Sequence, residues 1–143
     1  MQPADMIAIR DVVARQFASV SWTPDNPADW SAFAADFLPG APLYPAARPA
    51  QFQTVEAFIE RMRGLASTSL PSLRERLLDL QIRGTAKIAT AIAVCEIAEN
   101  DAKPNRNVEL MLLVKTEGVW KIAAQCWDAE SPDDPVLHSM NFV

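Results

Sequence analysis

The sequence contains one histidine, two cysteines, one tyrosine and four glycines among its 143 residues. A single histidine, His138, and only two cysteines are too few ligands for a zinc site made by the protein itself. The glycines form neither a G-x-G-x-x-G motif nor a P-loop. No G-x-S-x-G elbow is present, so a Ser–His–Asp triad is not expected either. We therefore expect no metal and no cofactor.

Basic residues are also scarce. The chain has 13 Lys and Arg against 18 Asp and Glu, which gives a formal net charge of -5 and disfavours nucleic acid as a partner. No apolar run reaches the length of about 18 residues that spans a membrane. The N-terminal MQPADMIAIRD lacks the basic region of a signal peptide. We expect a cytoplasmic protein in which Cys95 and Cys126 are reduced core residues.

The first half of the chain predicts three helices. Apolar residues recur at helical spacing from residue 5 to residue 20. Asn26 and Pro27 suit the N-cap and first position of a second helix that extends to about residue 37. Thr54 is the predicted cap of a third helix, which continues to residue 66.

Residues 38–49, LPGAPLYPAARP, separate the second helix from the third. Four prolines and a glycine in this segment exclude a helix or a central strand. We predict an irregular elbow that contains the only tyrosine, Tyr44.

The second half predicts four strands, at about residues 72–82, 86–98, 107–116 and 119–128. Three helices followed by a meandering antiparallel sheet indicate an α+β fold. The length fits a single domain, 1–143, with its core between about residues 5 and 130 and an irregular tail from 131 to 143.

The last two strands predict a hairpin with Glu117 and Gly118 at the turn, so that Thr116 pairs with Val119. Both faces of this hairpin are apolar, and helices can cover only one of them. In this register one face carries Leu110, Leu112, Gln125 and Trp127, and the other carries Met111, Leu113, Trp120 and Ile122. We expect the first face to lie under the helices. The second would form a homodimer interface, or be covered by the N-terminal segment or the tail.

The whole pattern resembles the nuclear transport factor 2-like superfamily, and within it the SnoaL-like relatives of ketosteroid isomerase. The residues that carry the resemblance are FAADFLP (33–39), TVEAFI (54–59), GVWKI (118–122) and WDAE (127–130). The resemblance implies a cone-shaped, cystatin-like α+β barrel with an apolar cavity on the concave side of its sheet. With the register above, the implied ligand-binding residues are Trp127, Gln125, Tyr44, Leu110, Leu112, Phe17 and Phe58.

The catalytic residues of ketosteroid isomerase do not carry over. Its carboxylate base would fall near Tyr44 and Pro45, its protonated acid near Leu110, and its tyrosine on the first helix, which has none. Asp36 and Tyr44 remain as candidates for acid–base chemistry. Their alternative roles are a surface acid and a packing residue.

We therefore expect a SnoaL-like protein that binds a small apolar molecule and lacks the ketosteroid isomerase residues. The alternative is an acid–base enzyme, such as a cyclase, isomerase or dehydratase, that acts on an apolar substrate. A carboxylate with a raised pKa in the cavity would favour this alternative.

Overall fold

The computed structural model describes residues 1–46 and 49–135, in which three helices pack on one five-stranded sheet. The helices are α1 (Pro3–Ser19), α2 (Trp30–Ala35) and α3 (Val55–Ala66). The strands are β1 (Leu43–Pro45), β2 (Leu73–Gly84), β3 (Ile88–Glu99), β4 (Asn105–Thr116) and β5 (Val119–Ala129). Their order is β1-β5-β4-β3-β2, with β1 parallel to β5 and all other neighbours antiparallel. The sheet is open, with β1 and β2 at its edges, and the α+β prediction is confirmed.

Side-chain caps set the starts of the two shorter helices. Thr54 Oγ1 accepts a hydrogen bond from Ala57 N at 3.0 Å, so the predicted cap of α3 is confirmed. The predicted start of α2 is wrong: Asp29 is its cap, with Oδ1 accepting from Ala32 N at 3.0 Å. Asn26 instead closes a local turn with Thr23.

The elbow between α2 and α3 contains strand β1, where the sequence predicts only irregular chain. The backbone N–H of Gln125 donates to Pro42 O at 3.1 Å, and that of Ala46 donates to Trp127 O at 2.8 Å. Proline is tolerated here because β1 is an edge strand, whose outward side needs no donor. The elbow therefore lies directly beside Gln125 and Trp127.

The hairpin of β4 and β5 follows the predicted register only as far as Leu113. Glu117 and Gly118 both have positive φ, 50° and 77°, as a two-residue hairpin turn requires. Leu113 pairs with Ile122, but Leu112 pairs with Ala124, so Ala123 is an extra residue in β5. This bulge shifts the remainder of β5 by one position, which exchanges its two faces.

The predicted dimer face is wrong, because the helices cover it. Met111, Leu113, Trp120 and Ile122 are each at most 2% exposed and belong to the hydrophobic core, together with residues of α1 such as Ile9 and Val13. Leu110 and Leu112, predicted to lie under the helices, are 43% and 54% exposed on the opposite side of the sheet. Since both faces of the hairpin are apolar, the sequence pattern alone did not distinguish them.

The two cysteines also differ from each other. Cys95 is buried and Cys126 is exposed, and neither forms a disulfide bond. The prediction of a core position is therefore confirmed for Cys95 and wrong for Cys126. Cys126 lies beyond the bulge and pairs with Leu110, on the side of the sheet away from the helices.

Candidate functional site

A cavity of roughly 290 Å³ lies between the concave face of the sheet, α3 and the end of α1. Its lining is mostly apolar and consists of Val20, Phe33, Leu43, Pro45, Phe58, Met62, Leu65, Leu70, Leu73, Ile97 and Trp127. Its polar lining consists of Gln16, Arg61, Glu75, Glu99, Asn107, Glu109 and Gln125. The volume is near the lower end of the range for small-molecule sites.

Three aromatic side chains form one wall of this cavity. The ring of Phe58, on α3, stacks on Phe33 with centroids 5.4 Å apart. The same ring meets Trp127 edge-on at 5.8 Å. Stacked and edge-to-face contacts of this kind hold aromatic rings in fixed orientations. The wall therefore offers aromatic surface to a ligand.

Beside this wall, a buried chain of hydrogen bonds joins Gln16, Gln125 and Glu109, and Glu109 pairs with Trp127 across strands β4 and β5. The amides of Gln16 and Gln125 donate to each other, Nε2 to Oε1, at 2.7 and 2.8 Å. Gln125 Nε2 also donates to Glu109 Oε2 at 2.8 Å. All three side chains are buried. Gln125 needs partners once it is buried, and here it finds them within the protein.

Only one carboxyl oxygen of Glu109 is used in this network. Its Oε1 has no hydrogen bond within the part of the chain that the structure describes. No fully enclosed side-chain oxygen or nitrogen there lacks a partner, so this Oε1 is open to the cavity. Glu109 therefore presents one free carboxyl oxygen to any molecule that enters.

Glu75 is the second acid in the cavity. Its backbone N–H donates to Ser21 Oγ at 3.0 Å. Its carboxyl group makes no hydrogen bond or ion pair with residues 1–46 or 49–135. It is half-buried because it faces the cavity.

Burial raises the pKa of both carboxyl groups. Loss of hydration raises the pKa of Glu109 to about 8, although the hydrogen bond from Gln125 opposes the shift. Burial also raises the pKa of Glu75 well above its usual range, and the neighbouring charge of Glu109 raises it further. The Cys95 thiol lies on the same side of the sheet, and burial and these two acids raise its pKa as well. The cavity thus favours protonated carboxyl groups at neutral pH.

The sequence-predicted ligand residues divide into two groups. Gln125, Trp127 and Phe58 line the cavity. Phe17 is packed in the core and does not line it. Leu110, Leu112 and Tyr44 line a groove on the outer face of the sheet, together with Thr90, Ile92 and Cys126.

Neither predicted catalytic candidate lies in the cavity. Asp36 is buried and paired with Arg15, whose Nε and Nη2 donate to the two carboxyl oxygens at 3.0 and 2.8 Å. Tyr44 is 41% exposed, and its ring packs on Phe52 at 6.0 Å. Asp36 is therefore not the surface acid of the alternative expectation but a buried acid paired with Arg15, whereas Tyr44 packs against a neighbouring ring as its alternative role supposed. His138 lies outside the described residues.

The sequence analysis missed Glu109 because it placed the wrong face of β4 under the helices, and it also missed Glu75 on β2. A signal was present: Glu109 stands among Val108, Leu110 and Met111, where a charge is costly on either buried face. Glu75, between two arginines in LRERL, carries no such signal. In the described part of the chain, no three His, Cys, Asp or Glu side chains are grouped to hold a metal ion. No helix among these residues is long and apolar enough to cross a membrane.

No protein-family model matches the sequence, and no curated protein matches it significantly. Solved structures do match the fold. A nuclear transport factor 2-like protein of unknown function from Pseudomonas putida aligns over 99% of both chains, with a TM-score of 0.74 and 16% identity. A cystatin-like protein of unknown function from Nostoc punctiforme aligns over 96% of this chain and 98% of its own, with a TM-score of 0.73 and 14% identity.

A hexachlorocyclohexane dehydrochlorinase from Novosphingobium barchaimii also has this fold. It aligns over 98% of this chain and 94% of its own, with a TM-score of 0.73 and 14% identity. The chain therefore has the nuclear transport factor 2-like, cystatin-like fold, as the sequence resemblance implied. These structures are consistent with both expected functions, a small-molecule binder and an acid–base enzyme.

Proposed function

We propose that the protein binds a small, largely apolar molecule in the cavity and moves protons to and from it through Glu109 and Glu75. The observation that carries this proposal is the presence of Glu109, which is buried, and Glu75, which is half-buried, in one largely apolar cavity, neither of them in an ion pair with the described residues. Burying an acid without a cation costs free energy of folding. Such groups are therefore found more often where function requires them.

The geometry suggests different roles for the two states of the pair. Protonated Glu109 can donate from Oε1 to a carbonyl oxygen or a leaving group, while Gln125 holds Oε2. Once the pair has lost one proton, its carboxylate can accept a proton from an acidic C–H bond. An acid and a base in one cavity suit isomerisation, elimination and cyclisation, in which carbon loses a proton and oxygen or a leaving group is stabilised.

The acid–base function is favoured over simple binding because a binding site for an apolar molecule has no need of one buried and one half-buried acid without a cation. The dehydrochlorinase with this fold is named for an elimination. This likeness supports elimination as the first reaction class to test in this chain.

The ring opening of 5-nitrobenzisoxazole tests the proposal. This small, flat molecule reacts when one base removes its C–H proton as the N–O bond breaks, giving a coloured phenolate. We expect catalysis to rise with pH as the carboxyl pair loses a proton, and to fall about 100-fold in Glu109→Gln and Glu75→Gln. Glu56→Gln, which changes an exposed acid on α3, is the matched control.

The proposal fails if the wild type is no faster than free carboxylate at the same concentration. It also fails if both cavity variants retain the rate of Glu56→Gln. In either case the protein would be a small-molecule binder without chemistry of its own.

We also propose a homodimer formed through the outer face rather than the face predicted from sequence. The outer face is apolar, with Ile88, Leu110 and Leu112 each more than 40% exposed, and it carries a groove of roughly 410 Å³. The salt bridge between Arg76 and Glu96 lies beside it. A two-fold interface brings the same patch of both copies together, so an apolar centre with charges of both signs at its margin is self-complementary.

A further inference from the structure

Arg61 is a basic side chain in the lining of an otherwise apolar and acidic cavity. It is the one basic residue among the described residues that line it. The sequence alone suggests a solvated charge near the end of a helix, where the helix dipole favours cations. In the structure, Arg61 instead lines the cavity.

The position of Arg61 on α3 directs it to the cavity side. Phe58 and Leu65, which lie three residues before and four residues after Arg61, also line the cavity. Residues at these spacings share one face of a helix. Arg63, two residues further on, lies off this face and does not line the cavity. Of the two arginines on α3, only Arg61 lies on the helix face that lines the cavity.

Arg61 also has no acidic partner in the described part of the chain. Glu99 lines the same cavity, yet the two side chains form no ion pair. Both residues are exposed, which marks them as the opening of the cavity. Glu75 and Glu109 lie further inside and tend to be protonated, so they leave the guanidinium uncompensated.

We propose that the molecule bound in the cavity is an amphipathic acid, with a flat apolar body against Phe33, Phe58 and Trp127 and a carboxylate at Arg61. A guanidinium matches a carboxylate with two parallel hydrogen bonds. The apolar body would then extend inward toward Glu75 and Glu109. This inference rests on the proposed function, since it names the substrate class of the same cavity.

The test compares 2-naphthoate with 2-naphthamide, which have the same ring system and differ in charge. Binding is measured by calorimetry to the wild type, to Arg61→Gln and to the matched control Arg63→Gln. We expect the wild type to prefer naphthoate, and Arg61→Gln to weaken naphthoate binding about five- to tenfold, as loss of a partly exposed ion pair predicts. Binding of naphthamide should change less than about twofold, and Arg63→Gln should match the wild type.

Equal binding of the two compounds to the wild type would overturn the inference, as would equal losses in the two arginine variants. A wild type that opens the benzisoxazole ring but binds no naphthoate would also overturn it while leaving the acid–base function intact. Failure of the ring opening with selective naphthoate binding would instead contradict the acid–base function alone. Thermal melting of each variant confirms that it is folded.

Discussion

Glu109 combines full burial with a hydrogen bond that favours its charged form, and burial has the larger effect. The hydrogen bond from Gln125 lowers its pKa, yet loss of hydration still raises the pKa from an ordinary 4.5 to about 8. Burial removes the hydration that stabilises a carboxylate, and one hydrogen bond from a neutral donor only partly replaces that stabilisation. The protonated form of Glu109 is therefore favoured at neutral pH.

The raised pKa has a consequence for stability that does not depend on any substrate. Between about pH 4.5 and 8 the unfolded chain loses the Glu109 proton while the folded chain keeps it, so stability falls as pH rises. One pKa unit corresponds to about 1.4 kcal/mol, and we expect a loss of roughly 2 to 4 kcal/mol across this range. Urea unfolding near pH 5 and near pH 8 measures it.

The variant Glu109→Gln provides the comparison, because an amide resembles the protonated acid in shape and has no charge to lose. We expect it to show a flatter dependence on pH and to be more stable than the wild type near pH 8. A wild type whose stability is unchanged or increases over this range, in parallel with the variant, would show that Glu109 is ionised in the folded protein.

At the scale of secondary-structure elements, local signals in the sequence predicted most of the fold. The Thr54 cap, the Glu117–Gly118 turn and the helical spacing in α1 each depend on residues near one another in the chain, and each is confirmed. The bulge at Ala123 has no such signal. The bulge is next to the place where the chain after α2 meets β5, because the backbone of Ile122 forms hydrogen bonds with the backbones of both Asp36 and Leu38.

This single bulge accounts for much of the difference between the predicted and observed sites. Leu110 and Leu112 were assigned to the cavity by strict alternation from the turn, and the structure places them outside. Gln125 and Trp127 were assigned correctly to the cavity side only because the wrong choice of face and the unforeseen bulge compensate for each other. Strand register beyond a bulge depends on tertiary contacts, which sequence periodicity does not contain.

Asp36 is an acid that holds two helices together through an ion pair. Its bidentate pair with Arg15 joins the end of α2 to α1, and neither residue lines the cavity. We expect Asp36→Asn to cost at most about 1 kcal/mol, because the Arg15 side chain is half exposed. Its rate of benzisoxazole ring opening should remain within about twofold of the wild type. A loss comparable to that of Glu109→Gln would restore Asp36 as a catalytic candidate.

For the whole molecule, the two faces of the open sheet differ in what covers them. The helices pack on the concave face and leave the cavity there, while the outer face has an apolar surface that nothing in the described chain covers. The sequence pattern of the hairpin predicted that both faces are apolar. It did not predict which face the helices cover.

The proposed dimer makes a prediction about the outer face. We expect light scattering to give twice the 15.7 kDa mass of one chain for the wild type and a single-chain mass for Leu112→Glu. The substituted residue is 54% exposed, so the folded chain itself tolerates the charge. Ile7→Glu, which changes an exposed apolar residue on α1, is the control and should remain dimeric. A monomeric wild type, or equal effects of the two changes, would contradict the outer-face dimer.

The proposed acid–base function depends on the protonation state of Glu109, and carbon-13 NMR of the labelled glutamate carboxyl groups measures that state directly. Comparison of the wild type with Glu109→Gln assigns the resonance. We predict a midpoint near pH 8 for this group. A midpoint near 4.5, the ordinary value of a glutamate, would mean that the cavity holds an ordinary carboxylate and would contradict the proposed acid–base function.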